Sequence, residues 1–166
     1  MLKLIQSKTF RPGRASFVII ASEYNARYVD AMLRAARSEL KRAGVKDLRI
    51  IRVPGAYEIP VVAAQLARAG SPNASTPSPS ASRPAAIICL GVILRGETAH
   101  AAHIGEAVST ALMQIQLQHG IPVIHEVLLL ENQDQARLRC LGRKHNRGAE
   151  AAQTAMAMAQ VMASLP

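Results

Sequence analysis

Four short apolar runs, each followed by a stretch with helical apolar spacing, restrict this chain more tightly than any other feature. The runs are residues 16–21 (SFVIIA), 48–53, 85–94 and 122–130. A segment apolar at successive positions suits a strand whose sheet is covered by helices on both faces. After the first run, Val29, Leu33, Ala36 and Leu40 recur at helical spacing within residues 26–43, and Gly44 stops the helix. Residues 58–69 read as a second helix, with Pro60 in the first turn, where a missing N–H does no harm. Ile104, Val108, Ala111, Leu112 and Ile115 share one face of a third helix over residues 104–119. Residues 133–141 and 147–163 read as two final helices, the last one capped by Asn146. Strands alternating with helices predict a four-stranded parallel α/β sheet with helices on both faces. Ligands of such sheets bind beyond the carboxyl ends of the strands, which directs the search for chemistry to the segments after each run.

Residues 70–84, GSPNASTPSPSASRP, break the pattern. Proline and serine dominate and no apolar period survives, so this stretch reads as a flexible surface loop rather than a boundary. Each flank is too small to stand alone, and residues 1–166 are read as one domain with an arm over residues 1–15. Hydrophobic residues at 49% against 19% charged describe a globular chain. No eighteen consecutive residues are apolar, as a membrane span would require. The basic opening MLKLIQSKTFRPGR does not carry the pattern of a secretory signal, so the expected location is the cytoplasm. Cys89 and Cys140 are too isolated for a zinc signature or a disulfide framework and read as reduced, packed thiols. The net charge of +9 permits nucleic-acid binding. Its densest cluster, however, is only Arg137, Arg139, Arg143, Lys144 and Arg147, and aromatics at 3% supply little stacking surface. A solvated basic surface with one anion site is the expectation, with no nucleic-acid partner.

The strand ends hold the polar chemistry. Tyr24 and Asn25 after the first run can stack on a flat ring and bond its edge, or form a capping turn with Asn25 as cap. After the second run, Gly55 permits close approach of a ligand, and Glu58 either faces that ligand or matches the helix dipole. After the third, Gly96, Glu97 and Thr98 form a glycine-bearing turn whose amides can cradle an anion. It is not a P-loop, lacking the Lys-Ser/Thr ending. His100 would stand within reach of that anion, placed for proton transfer. His103 and Glu106 follow at helical spacing; a metal site needs a third ligand that the pattern does not complete, so no metal is expected. Arg139 lies one turn beyond the segment after the fourth run, as a solvated arginine or a phosphate contact.

Taken together, SEYN, RVPGAYEIP, LGVILRGETAH, GIPVIHEVLLLENQDQAR and NRGAEAA, in that order and spacing, resemble the 6,7-dimethyl-8-ribityllumazine synthase family. The resemblance implies a flavodoxin-like three-layer fold. It also implies an enzyme of riboflavin biosynthesis that condenses 5-amino-6-(D-ribitylamino)uracil with 3,4-dihydroxy-2-butanone 4-phosphate, releasing phosphate and water, without a cofactor. It places Tyr24 over the pyrimidine, beside Asn25. Ala56, Tyr57 and Glu58 match the segment along the ribityl chain, and Val92, Ile93 and Leu94 the strand end that reads the pyrimidine edge. His100 matches the proton-transferring histidine. Gly96, Glu97 and Thr98 match the phosphate turn, Arg139 the phosphate-gripping arginine and Arg147 a nearby lysine. A homo-oligomer follows, a pentamer or a sixty-subunit shell, with sites shared between neighbours, the N-terminal arm adding a strand to a neighbour's sheet, and riboflavin synthase as a further partner.

The chain departs from the family pattern after the histidine and on the fourth run. Ala101 and Ala102 replace an aromatic and an acidic residue, His125-Glu126 stand where Phe-Gly is usual, and Leu128-Leu129 where Leu-Thr is usual. His125 would take a ring-stacking position supplied by a neighbouring subunit. These changes keep open a rival reading, a homologue that binds a flavin-like ring or builds a shell without turnover.

Overall fold

The computed structural model describes residue 13 and residues 15–69, 83–142 and 145–166. Nearly all of the proposed N-terminal arm and of the Ser/Pro-rich segment, with Arg143 and Lys144, lie outside the described residues. The elements run β1 (Ser16–Ser22), α1 (Ala26–Arg42), β2 (Asp47–Val53), a 3-10 turn (Ala56–Glu58) and α2 (Ile59–Arg68). They continue with β3 (Ala86–Leu94), α3 (His100–His119), β4 (Val123–Leu130), α4 (Gln133–Ala136), a π turn (Arg137–Leu141) and α5 (Arg147–Ser164). The four strands form one parallel sheet in the order β2-β1-β3-β4.

The two-residue side-chain period of each strand divides the core into two layers. Phe17, Ile19, Ile88, Leu90 and Ile124 point to one face and meet Val29, Met32 and Leu40 of α1 with Ala152, Ala155 and Met156 of α5. Val18, Ile20, Ile87, Cys89, Val123 and Val127 point to the other, against Ile59 and Ala63 of α2 with Val108, Leu112 and Ile115 of α3. This is the expected three-layer α/β arrangement. Phe17, Ile19 and Ile20 have no exposed surface, and each such side chain contributes about 1.5–3 kcal/mol of burial.

The helix boundaries follow from local chemistry. Past α1, Gly44 adopts φ +86, its N–H donates to Lys41, and Val45 N–H reaches back to Leu40 at 3.0 Å. Those two bonds close the helix with the left-handed residue that glycine supplies most readily. Asn146 caps α5 as its side-chain oxygen accepts from Gly148 N–H at 2.9 Å. Two boundaries differ from expectation. Helix α3 starts at His100 rather than Ile104, since the small, buried Ala101 carries the packed face one turn before the first large apolar residue. The helix expected over residues 133–141 is only one α turn before it widens into the π turn, with Ala136 and Cys140 buried.

Gly148 sets how closely α5 crosses α1. A Cβ there would lie 2.0 Å from the carbonyl oxygen of Met32, well inside contact distance. No other residue type allows this approach, which also seats Arg147 beside the sheet.

Candidate functional site

The strand order reverses between β1 and β3: the chain moves from β1 outward to β2, then crosses back to β3 and β4. At such a switch point the segments leaving neighbouring strands diverge to opposite faces, opening a crevice at the carboxyl end of the sheet. A cavity of about 720 Å³ lies there. It is lined by Tyr24 and Asn25 after β1, Gly55 to Glu58 after β2, Val92 to Leu94 at the end of β3, and His100, His103, Ile104 and Ala107 of α3. The chain thus brings together Tyr24, Asn25, Ala56, Tyr57, Glu58, Val92, Ile93, Leu94 and His100 of the residues singled out from sequence.

Asn25 occupies the N-cap position of α1, as the capping alternative expected, and its carbonyl accepts from Tyr28 N–H at 2.9 Å, but its side chain does not cap the helix. Its backbone is left-handed (φ 58) and its side chain makes no capping bond; instead Nδ2 donates to Val92 O at 2.8 Å. The amide stitches the end of β1 to the end of β3 across the switch point, which the capping alternative did not anticipate. Tyr24 and Glu23 are fixed from below, their N–H groups donating to Pro54 O and Val53 O at 3.0 and 2.8 Å. Tyr24 and Tyr57 are 71% and 62% exposed as residues, which leaves ring surface available to a planar ligand. Glu58 stands at the start of α2 with no capping bond from its side chain. Its Oε2 would be 2.7 Å from a Cβ on Gly55, and the Tyr24 ring 3.1 Å, so the bare glycine backbone lies between carboxylate and ring.

His100 is exposed at the first position of α3, and His103 lines the same cavity one turn later. His103, Ile104 and Ala107 complete the helix face that begins at His100. The sequence signal existed, since positions three, four and seven beyond a helical residue share its face. Among the described residues no group of three His, Cys, Asp or Glu side chains could hold a metal ion. Gly96, Glu97 and Thr98 do not line the cavity. They lie exposed in the loop before α3, tied to the end of β4 as Arg95 N–H donates to Leu130 O at 2.8 Å. Arg95 also pairs with Glu131 at 3.2 Å. Within the described residues no acceptor meets the amides of Gly96, Glu97 or Thr98.

The remaining three residues stand apart from this cavity. His125 projects from β4 toward α3. Its Nδ1 accepts from Val127 N–H at 3.2 Å, its Nε2 lies 2.8 Å from Ser109 Oγ, and that hydroxyl donates to Gly105 O at 2.7 Å. This chain requires the neutral ring with its proton on Nε2. Although part of His125 is exposed, packing against α3 desolvates the ring and lowers its pKa. Sequence reasoning missed this contact, because Ser109 and His125 meet only through tertiary packing.

On the opposite face Glu126 is buried and accepts from Arg147 Nε at 3.0 Å, while Arg147 Nη1 donates to Glu150 Oε2 at 2.5 Å. Burial outweighs the pull of Arg147 and pushes Glu126 up to about 7. Burial also opposes the Arg147 charge, but Glu126 and Glu150 more than offset it and raise its pKa. Arg139 is exposed on the π turn and has no ion pair among the described residues. Of the basic cluster, Arg137 pairs with Asp134 at 2.6 Å. Cys89 and Cys140 are free and buried; burial raises both thiols, Cys140 to about 11. No helix among the described residues is long and apolar enough to cross a membrane.

The sequence model of the 6,7-dimethyl-8-ribityllumazine synthase family matches residues 14–163. A 6,7-dimethyl-8-ribityllumazine synthase of Xanthomonas campestris pv. campestris (strain B100) is 39% identical over 158 residues, covering 94% of this chain and 95% of the relative. One from Xylella fastidiosa (strain M12) is 40% identical over the same shares of both chains. One from Xanthomonas oryzae pv. oryzae (strain PXO99A) is 39% identical, again covering 94% and 95%. The chain therefore belongs to the 6,7-dimethyl-8-ribityllumazine synthase family.

Proposed function

We propose that this enzyme condenses 5-amino-6-(D-ribitylamino)uracil with 3,4-dihydroxy-2-butanone 4-phosphate, releasing phosphate and water. The observation that carries the reading is the switch-point cavity, where the segments that resemble the family's substrate contacts converge. Tyr24 stacks on the pyrimidine, the backbone of Val92 to Leu94 reads its edge, and Ala56, Tyr57 and Glu58 line the ribityl chain. A carboxylate accepts strongly from hydroxyl groups, which suits Glu58 to a polyol.

The attacking amine belongs to the substrate, so the enzyme needs no nucleophile of its own. Its main task is to hold two reactants in line, and well-oriented reactants can recover roughly 7–11 kcal/mol of the barrier. His100 moves protons during imine formation and phosphate elimination, an effect of about 10² to 10⁴ in rate. Gly96, Glu97 and Thr98 present backbone amides to the phosphate, and Arg139 with its planar fork grips it.

His125, Arg139 and Arg147 do not line the cavity of their own chain. In the proposed enzyme His125 and Arg139 serve the cavity of a neighbouring copy in a pentamer. Leu117 and Met113, 73% and 54% exposed on α3, suit such a contact better than open water. Coloured lumazine and free phosphate, followed together with wild type, His100→Ala and Arg139→Ala, test the reaction; sedimentation tests the assembly. Matched release of both products, slowed in both variants, is expected. No turnover above the uncatalysed condensation would overturn the enzymatic reading, and activity indifferent to Arg139→Ala would overturn the phosphate assignment.

A further inference from the structure

Arg147 and Arg139 are the two cations proposed for the phosphate, but the structure treats them differently. Arg147 is held between two carboxylates, Glu126 Oε2 at 3.0 Å from Nε and Glu150 Oε2 at 2.5 Å from Nη1, with only 24% of its side chain exposed. Arg139 stands on the exposed π turn without an ion pair among the described residues. Glu126 comes from mid-β4 and is 7% exposed. Two carboxylates thus hold the Arg147 guanidinium on the protein, and of these two arginines only Arg139 is left available to an approaching phosphate. For Arg147 to reach a phosphate, it would have to leave a buried carboxylate uncompensated, which is strongly unfavourable.

We propose that Glu126 is a positioning residue that commits Arg147 to the protein, so that of the two arginines only Arg139 grips the phosphate-bearing substrate and the phosphate product. This rests on the reading that these arginines face the phosphate. Its consequence is a deliberately weak phosphate grip, which favours release of the product anion after elimination. Glu126 occupies one of the positions where the chain departs from its family, and the ion pair gives that departure a chemical purpose.

The test uses the full chain and inorganic phosphate, measured by calorimetric binding and as an inhibitor competing with the phosphate-bearing substrate. Glu126→Gln and Glu126→Gly, with thermal unfolding to establish that each is folded, are expected to tighten phosphate by about tenfold, the effect of one freed charge-assisted contact. Arg147→Ala alone should stay within about twofold of wild type, since that arginine is already committed. The double variant Glu126→Gln/Arg147→Ala should return to wild-type affinity, which a merely structural effect of Glu126 would not produce. The proposal is overturned when Arg147→Ala weakens phosphate as much as Arg139→Ala, or when folded Glu126 variants bind phosphate no tighter. Turnover and phosphate affinity both indifferent to Arg139→Ala would instead sink the underlying phosphate site.

Discussion

Replacing Gly55 by alanine should impair substrate binding while leaving the fold intact, and the geometry sets the size of the effect. Gly55 is buried with extended backbone (φ −134, ψ 178), a conformation alanine adopts freely. The new methyl would stand 2.7 Å from Glu58 Oε2 and 3.1 Å from Tyr24 Cδ2. A relaxed contact needs about 3.5 Å, so the carboxylate must swing away by roughly 0.8 Å and the ring by about 0.4 Å. Glu58 can do so by rotating its flexible end, which is cheap for stability; a change within about 0.5 kcal/mol is expected in urea unfolding. The carboxylate then no longer sits where a ribityl hydroxyl would meet it. Losing one hydrogen bond to a charged group forfeits about 1.5–3 kcal/mol, or about ten- to 150-fold in kcat/KM. Since the ribityl chain does not react, the loss should fall on KM for the ribitylaminouracil, with kcat and the KM of the phosphate-bearing substrate little changed. Steady-state kinetics with each substrate varied in turn separates these. An unchanged KM for the ribityl substrate in Gly55→Ala would refute the placement of Glu58 along that chain.

Other consequences follow from the same packing and electrostatics. Gly148→Ala drives a methyl into the backbone of Met32 and should destabilise by about 3 kcal/mol or more, as overpacking against a helix backbone does. Gly105→Ala meets only Leu129 at 3.5 Å and should stabilise by up to about 1 kcal/mol through helix propensity; equal denaturation midpoints for the two variants would contradict the geometry. Asn25→Gly keeps the left-handed backbone but loses the bond to Val92, costing about 1 kcal/mol. Asn25→Ala adds left-handed strain of about another 1 kcal/mol, and thermal unfolding of the pair separates bond from strain. Glu126 binds its proton more tightly in the folded state, near 7, than at its ordinary 4.5. Its contribution is therefore most favourable below 4.5 and falls by on the order of 3 kcal/mol as pH rises through 7. Glu126→Gln should flatten the stability profile between pH 5 and 8; superimposable profiles for variant and wild type would contradict this sign.

The reach of the sequence is clearest where one element carried its own signal. The apolar runs predicted all four strands to within a residue at each end; in the central strands β1 and β3 this is because burial on both faces leaves almost no polar position. Gly44, Pro60 and Asn146 marked helix ends through backbone requirements that are local to each residue. Asn25 stands at the helix cap as its residue type suggested, but its side chain bonds Val92, 67 positions away, instead of the helix amides. Helix α3 began earlier than its large apolar residues suggested, since an alanine contributes little to a periodic pattern and yet packs well.

The candidate site divides along the same line. Residues of the strand-end motifs could be nominated from sequence, because parallel sheets put their ligands where the strands end. Sequence alone could not determine that β1 lies between β2 and β3, the ordering that turns three separate loops into one cavity. Nor could it reveal that Ser109 meets His125, or that Arg147 is clamped between Glu126 and Glu150. Secondary structure and capping depend on neighbours a few residues apart, so a linear pattern records them. Charge pairing, cavity shape and the availability of a guanidinium depend on which faces of distant elements meet, and only the folded chain decides that.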